Sequence, residues 1–178
     1  MAIPESPTQA KLLIAVMTPD PRCFDLALAE LESTHGAIDA TSPEIRDPHY
    51  RHYEDEMGPA LTKRILAFEK LVDPEQLVSA KTHTNAIELA FSIRGRRTVN
   101  LDPGHLTSGN LVLASAKSRS RRIYLRDGIY AELELVYQSG EFRPMPWTYP
   151  DFRRPEVLSF LSEVRQTYLA QLTSRRPQ

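Results

Sequence analysis

The sequence predicts an α+β fold: a mixed or antiparallel sheet with helices packed on it, a ferredoxin-like β-α-β-β-α-β start, then further strands and a last helix. Three observations predict it. Ile129, Ala131, Leu133, Leu135 and Tyr137 alternate with Tyr130, Glu132, Glu134 and Val136, the period of a strand. Two stretches of helical period open on Asp-Pro, at Asp20-Pro21 and Asp73-Pro74. The connections between apolar stretches are short, and nothing demands a second domain.

Taken in order, residues 1–10 read as a tail, and Lys11 to Thr18 is a short apolar run suited to a buried strand. A helix follows, with Asp20 as N-cap, Phe24, Ala27, Leu28 and Leu31 at helical spacing, and Gly36 to end it. Ala37 to Ile45 is a candidate strand. Asp47-Pro48 caps a short helix through His49–Met57, closed by Gly58-Pro59. Thr62 to Val72 reads as a strand, with helix as the alternative. Asp73-Pro-Glu-Gln76 has the form of a capping box, and Leu77, Ala80, Thr84, Ile87 and Phe91 mark the face of the helix it starts.

Arg97 to Leu101 is a strand candidate that a turn at Asp102-Pro103-Gly104 would close. Leu111 to Ala116 is ambiguous, since Thr107 could cap a short helix there or the run could be a buried strand. Arg122–Leu125 and Ile129–Tyr137 are strands joined by a tight turn at Asp127-Gly128. Gln138-Ser139-Gly140 turns into a last strand near Phe142. Pro155 opens the final helix, with Leu158, Leu161, Arg165, Tyr168 and Leu172 on one face. The predicted domain is 11–172, with 173–178 a frayed end.

Composition removes several function classes. With 178 residues, 41% apolar and 25% charged, the chain is an ordinary globular domain rather than a disordered one. A formal net charge of −1 gives no global attraction to nucleic acid or anionic membrane. The single cysteine, Cys23, excludes an internal disulfide and a Cys-rich metal centre. Leu12 to Met17 is too short for a signal core or membrane span. These features together predict a soluble, cytoplasmic protein.

Charge is nevertheless segregated. From Asp20 to Glu56 there are ten acids and three bases, a net of −7, and from Arg94 to Arg126 eight bases and one acid, a net of +7. A cationic site for an anionic ligand would produce this, and so would two segments that face each other or a solvated surface. Asp102 to Gly109, read as a turn, could present backbone N–H groups to an anion, although it lacks the Gly-Lys-Ser/Thr ending of a phosphate-binding loop.

Other chemistries find less support. Asp47, His49, His52 and Glu56 could contribute metal ligands from one helix, but they lack a His-Glu-x-x-His arrangement and read better as a solvated face. His105-Leu-Thr107 is half of a two-histidine phosphoesterase signature whose second half is missing. No Gly-x-Ser-x-Gly elbow is present. Nothing calls for a cofactor. Asn85 and Glu88 could reach from their helix into a pocket, and Trp147 and Tyr149 could form its wall or seal the core edge.

The segments Tyr53–Gly58, Val99–Gly104, Leu111–Lys117, Arg122–Leu125 with Asp127–Ala131, and Pro146–Asp151 together resemble a prokaryotic family, domain of unknown function 4416, over nearly the whole chain. The resemblance implies no activity. His105 stands where that family tends to carry Tyr, and His49 and His52 fall in a segment otherwise rich in aromatics, which counts against histidine or metal chemistry as a family function. The matching polar positions are Glu56, Asn100, Asp102, Lys117, Arg122, Tyr124 and Asp127. Glu56 and Asp102 are the candidate catalytic carboxylates. Asn100, Lys117, Arg122, Tyr124 and Asp127 are the candidate ligand contacts, with Lys117 and Arg122 toward an anion.

The expectation is therefore a domain with a cationic pocket for a small phosphorylated or carboxylate ligand, with or without catalysis on it. The alternative is a non-enzymatic module that binds a protein partner or a second copy of itself. RNA binding is weaker, because it would need Arg119, Arg121 and Arg122 beside exposed Tyr124 and Tyr130.

Overall fold

The centre of the molecule is β1 (Ala10–Thr18), whose nine residues are all buried. Its apolar run allows this because both edges are paired and both faces are covered. On one edge β1 runs antiparallel to β3 (Thr62–Val72). On the other it runs antiparallel to β4 (Asn100–Leu106). A computed structural model describes Met1 and residues 3–174 of the chain. Beyond β3 lies β2 (Ile38–Thr41), and beyond β4 come β5 (Asn110–Ser115), β7 (Ile129–Gln138) and β6 (Ile123–Arg126). An eighth strand, β8 (Glu141–Pro144), pairs with the far end of β7, and every pairing is antiparallel. The fold is α+β with an open sheet. The order β2-β3-β1-β4 is compatible with the ferredoxin-like start.

The alternation of β1 sorts the core into two layers. Leu12, Ile14 and Val16 pack beneath α1 (Pro21–His35) and α3 (Leu77–Ala90), against Ala27, Leu31, Ala80 and Ile87. Leu13, Ala15 and Met17 face the opposite way, toward α2 (Arg51–Met57) and α4 (Pro155–Ser174), with Tyr50, Met57, Leu161 and Tyr168. The helix signals act as their chemistry dictates. The Asp20 side chain accepts the Arg22 N–H at 2.9 Å, and the Asp73–Gln76 capping box forms ahead of α3. Gly36 and Gly58 end α1 and α2 at φ 91° and 95°.

The structure corrects several expectations. Asp102-Pro103-Gly104 is not a turn. It lies inside β4, with Ile14 opposite Pro103 and Leu13 opposite Gly104. Pro103 is tolerated because β5 joins β4 only from Gly104 onward, so no ladder bond to β5 is lost there. The turn is made instead by Ser108-Gly109, and Thr107 organises it: its hydroxyl accepts from the N–H groups of Gly109 and Asn110, both at 3.2 Å. The run from Leu111, open between helix and strand, is strand β5 through Ser115.

Glu132 and Glu134, on the polar side of the β7 alternation, are 2% and 0% exposed, and a bulge opposite Leu111/Val112 leaves Leu135 buried directly after Glu134. At the chain ends, Ala10 already belongs to β1, and Thr173 and Ser174 to α4. Residues 175–178 of the expected frayed end lie outside the described residues.

Candidate functional site

Between β4 and β5 the sheet is only partly closed. The two strands pair over Gly104–Leu106 with Leu111–Leu113 and then part, so that Asn100 and Asp102 face Ala114 and Ser115 across a gap. The close end of this fork depends on Gly104. A Cβ there would meet Leu113 Cδ2 at 2.5 Å and the Val112 carbonyl oxygen at 2.7 Å. In the open end lies a cavity of about 230 Å³. Met17, Leu113, Tyr50 and Phe152 give it an apolar base. Its polar groups come from β3 (Lys63), α3 (Lys81, Asn85, Glu88), the segment entering β4 (Arg97), β4 itself (Asn100, Asp102), the end of β5 and the loop after it (Ser115, Lys117), and Arg122, Glu132, Tyr149 and Asp151.

Most of these charges are paired. Lys63, 8% exposed, forms an ion pair with Asp151, which also accepts the Tyr50 hydroxyl at 2.9 Å. Lys63 lies 5.0 Å from the centre of the Tyr50 ring. Burial pulls the Lys63 ammonium down, but Asp151 and Asp102 outweigh it and hold it above its ordinary value. Lys81, 6% exposed, donates to the Leu101 carbonyl at 2.7 Å and to Asp102 at 3.3 Å.

Arg97 grips Glu56 with two bonds of 2.7 and 2.8 Å and donates to Asn100 Oδ1 at 2.7 Å, while Asn100 Nδ2 donates to Asp102 at 2.7 Å. Glu88 accepts the Leu101 N–H at 2.7 Å, and burial raises its carboxyl despite Lys81. For Asp102 burial acts upward too, yet Lys81, Lys63 and the Asn100 amide prevail and hold it below the ordinary carboxylate value.

Arg122 is a brace. Its side chain is 5% exposed; it pairs with Glu132 at 2.6 Å and donates to the Lys117 carbonyl at 2.8 Å and to the Tyr149 hydroxyl at 3.0 Å. It also donates to Ser115, so the guanidinium ties β5 to β7 and to the segment before α4. Lys117 differs from every other cation in the cavity. Among the described residues its ammonium has no hydrogen bond and no ion pair, while its charge helps hold the Glu56 carboxyl down, after the larger effect of Arg97. The Asn85 amide and the Tyr53 hydroxyl also line the cavity without hydrogen-bond partners among the described residues.

Of the residues chosen from sequence, Asn100, Asp102, Lys117 and Arg122 line the cavity. Glu56 stands behind Arg97 as its partner and does not line it. Tyr124 and Asp127 lie away from the lining, on β6 and its turn; Tyr124 is 59% exposed with its ring 5.3 Å from that of Tyr130, and Asp127 pairs with Arg126. The acidic and basic segments meet at Glu56–Arg97, but Arg121 and Arg122 are drawn instead to Glu132.

Asn85, Glu88 and Tyr149 do reach the cavity. Sequence reasoning missed Lys63, Lys81, Arg97, Glu132 and Asp151. Lys63 sits between Thr62 and Arg64 at the polar start of β3, so no local pattern marked it as buried. His105 is 4% exposed, and burial lowers it to about 4, so it is a neutral core imidazole. No group of three or more His, Cys, Asp or Glu among the described residues is placed to hold a metal.

No helix among the described residues is long and apolar enough to cross a membrane. A comparison with curated proteins finds no match. The profile of one family, described as a domain of unknown function (DUF4416), matches residues 8–168, in agreement with the motifs from Tyr53 to Asp151. The chain thus belongs to the DUF4416 family.

Proposed function

We propose that the protein binds a small anionic metabolite in the cavity at the β4–β5 fork. The supporting observation is Lys117, an ammonium without a carboxylate partner among the described residues, in a cavity whose other cations are all ion-paired. Its neighbours are donors suited to an oxyanion: the Asn85 amide and the hydroxyls of Tyr53, Ser115 and Tyr149. Asp102, held ionised beside them, would accept a hydrogen bond from the ligand or remove a proton from it.

The test is thermal denaturation of the purified protein against nucleotides, phosphorylated metabolites and carboxylates. A ligand at about 100 times its Kd adds roughly 2.7 kcal/mol, a rise in Tm of about 5–10 °C for a chain of this size. Saturable stabilisation that Lys117→Ala abolishes supports the reading. Absence of any response across the panel sinks it.

A second reading, self-association, is favoured by β6. Ile123, Tyr124 and Leu125 are 70%, 59% and 39% exposed on a strand at the end of the sheet order. Sedimentation equilibrium of wild type and Ile123→Lys tests it: a dimer that the variant dissolves supports it, and a wild-type monomer rejects it.

A further inference from the structure

We infer that the ligand is a small monoanion, a monocarboxylate that also carries a hydroxyl group, rather than a phosphate dianion or a nucleotide; this rests on the cavity being an anion site. Lys63 is matched by Asp151, Lys81 by Asp102 at 3.3 Å and Glu88 at 4.0 Å, Arg97 by Glu56 at 2.7 Å and Glu88 at 3.5 Å, and Arg122 by Glu132 at 2.6 Å. Together with Arg121, which shares Glu132 with Arg122, these cations stand five against five carboxylates, and Lys117 makes the count six cations against five. One positive charge is free to meet one negative charge.

A second negative charge on the ligand would have no cation to meet and would face Asp102, Glu88 and Asp151. Two like charges at about 4 Å in a partly dehydrated site repel by enough to weaken binding about tenfold or more. That repulsion is enough to separate a monocarboxylate from a phosphate dianion of the same size. The internal pairs cannot be given up cheaply to make room, because breaking a buried pair strands its partner.

The second half of the inference comes from Asp102. Its carboxylate is about a third open (35%) and accepts Asn100 Nδ2 at 2.7 Å on one oxygen and Lys81 at 3.3 Å on the other. Each oxygen keeps lone-pair capacity toward the cavity, and an ionised acceptor there calls for a donor on the ligand. The volume of about 230 Å³ lies below the range of roughly 300–1,000 Å³ usual for larger ligands, which suits a compact molecule. Tyr50, Tyr53, Tyr149 and Phe152 offer ring surfaces for an apolar body.

Calorimetric titration of the full chain at pH 8 with two matched sets tests this: phenyllactate, phenylpropionate and phenyl phosphate, and lactate, propionate and inorganic phosphate. The expected result, in at least one set, is that the hydroxy acid binds about ten- to a hundredfold tighter than the acid without the hydroxyl, the value of one hydrogen bond to a charged group. The phosphate should bind at least tenfold weaker than the hydroxy acid. Lys117→Gln should abolish binding, and Asp102→Asn should erase the hydroxyl preference. The hydroxyl comparison on wild type needs no variant, so it stands even where Asp102→Asn fails to fold.

Phosphate binding as tight as carboxylate, and lost in Lys117→Gln, overturns the monoanion inference and leaves the anion cavity intact. Equal affinity for the hydroxy and unsubstituted acids overturns the role given to Asp102. No binding in either set, by protein that melts cooperatively, removes both the inference and the anion site beneath it.

Discussion

Replacing Gly104 by Ala examines the fork that holds the cavity open. Glycine in a strand interior ordinarily costs about 0.5–1 kcal/mol relative to alanine, so on backbone grounds alone the change should stabilise. The structure reverses the sign. The new methyl would sit 2.5 Å from Leu113 Cδ2 and 2.7 Å from the Val112 carbonyl oxygen. The leucine tip can rotate away, but the carbonyl belongs to β5 at a point where the β4–β5 ladder has only three paired positions. Moving it weakens that ladder. Overpacking of this kind costs about 1–3 kcal/mol, and the backbone contact places Gly104→Ala at the upper end. A loss of about 3 kcal/mol lowers Tm by roughly 6–12 °C in a chain of this length. Circular dichroism melting and urea titration would read it, with an unchanged m-value. A variant melting at or above wild type would refute the claim that these strands need glycine to close.

The remaining predictions concern the buried charges. Asp151→Ala should cost about 3–5 kcal/mol in urea unfolding by stranding Lys63, whereas Lys63→Met with Asp151→Leu should recover much of that. Arg122→Lys should lose roughly 1.5–3 kcal/mol, because an ammonium cannot reproduce the fork to Glu132, Lys117 and Tyr149. Lys117→Ala should stay within about 0.5 kcal/mol of wild type, since its ammonium makes no hydrogen bond or ion pair among the described residues.

Burial, reinforced by Glu132 and Asp151, pushes Glu134 up to about 7, and its Oε1 has no hydrogen-bond partner among the described residues. A raised carboxyl binds its proton more tightly when folded, so its contribution to stability falls as pH climbs from its unfolded value near 4.5 to about 7. The loss is on the order of 3 kcal/mol. Urea midpoints from pH 5 to 8, compared between wild type and Glu134→Gln, measure it; parallel profiles would show that Glu134 is not the titrating group.

The elements and the cavity were legible in the sequence to different degrees, for physical reasons. Asp20-Pro21, the Asp73–Gln76 box, Gly36, Gly58 and Asp127-Gly128 act within a few residues of themselves, so local chemistry placed α1, α3 and the β6–β7 turn. The apolar run at Lys11–Thr18 marked the central strand, because only a strand covered on both faces is apolar throughout. Pro103-Gly104 misled, since whether such a pair bends or continues a strand depends on what lies beside it. Here β1 supports it on one side and β5 approaches on the other.

The site follows the same division. Sequence by itself determined which side chains near the β4–β5 fork are polar, and it identified Asn100, Asp102 and Lys117 among them. Only the tertiary structure decided which charges are spent on one another. Arg122 and Lys117 look alike as cations in a row, but β7 places the buried Glu132 against Arg122 and no carboxylate against Lys117 among the described residues. Charge pairing is set by distances between strands far apart in the chain, and no local pattern encodes those distances.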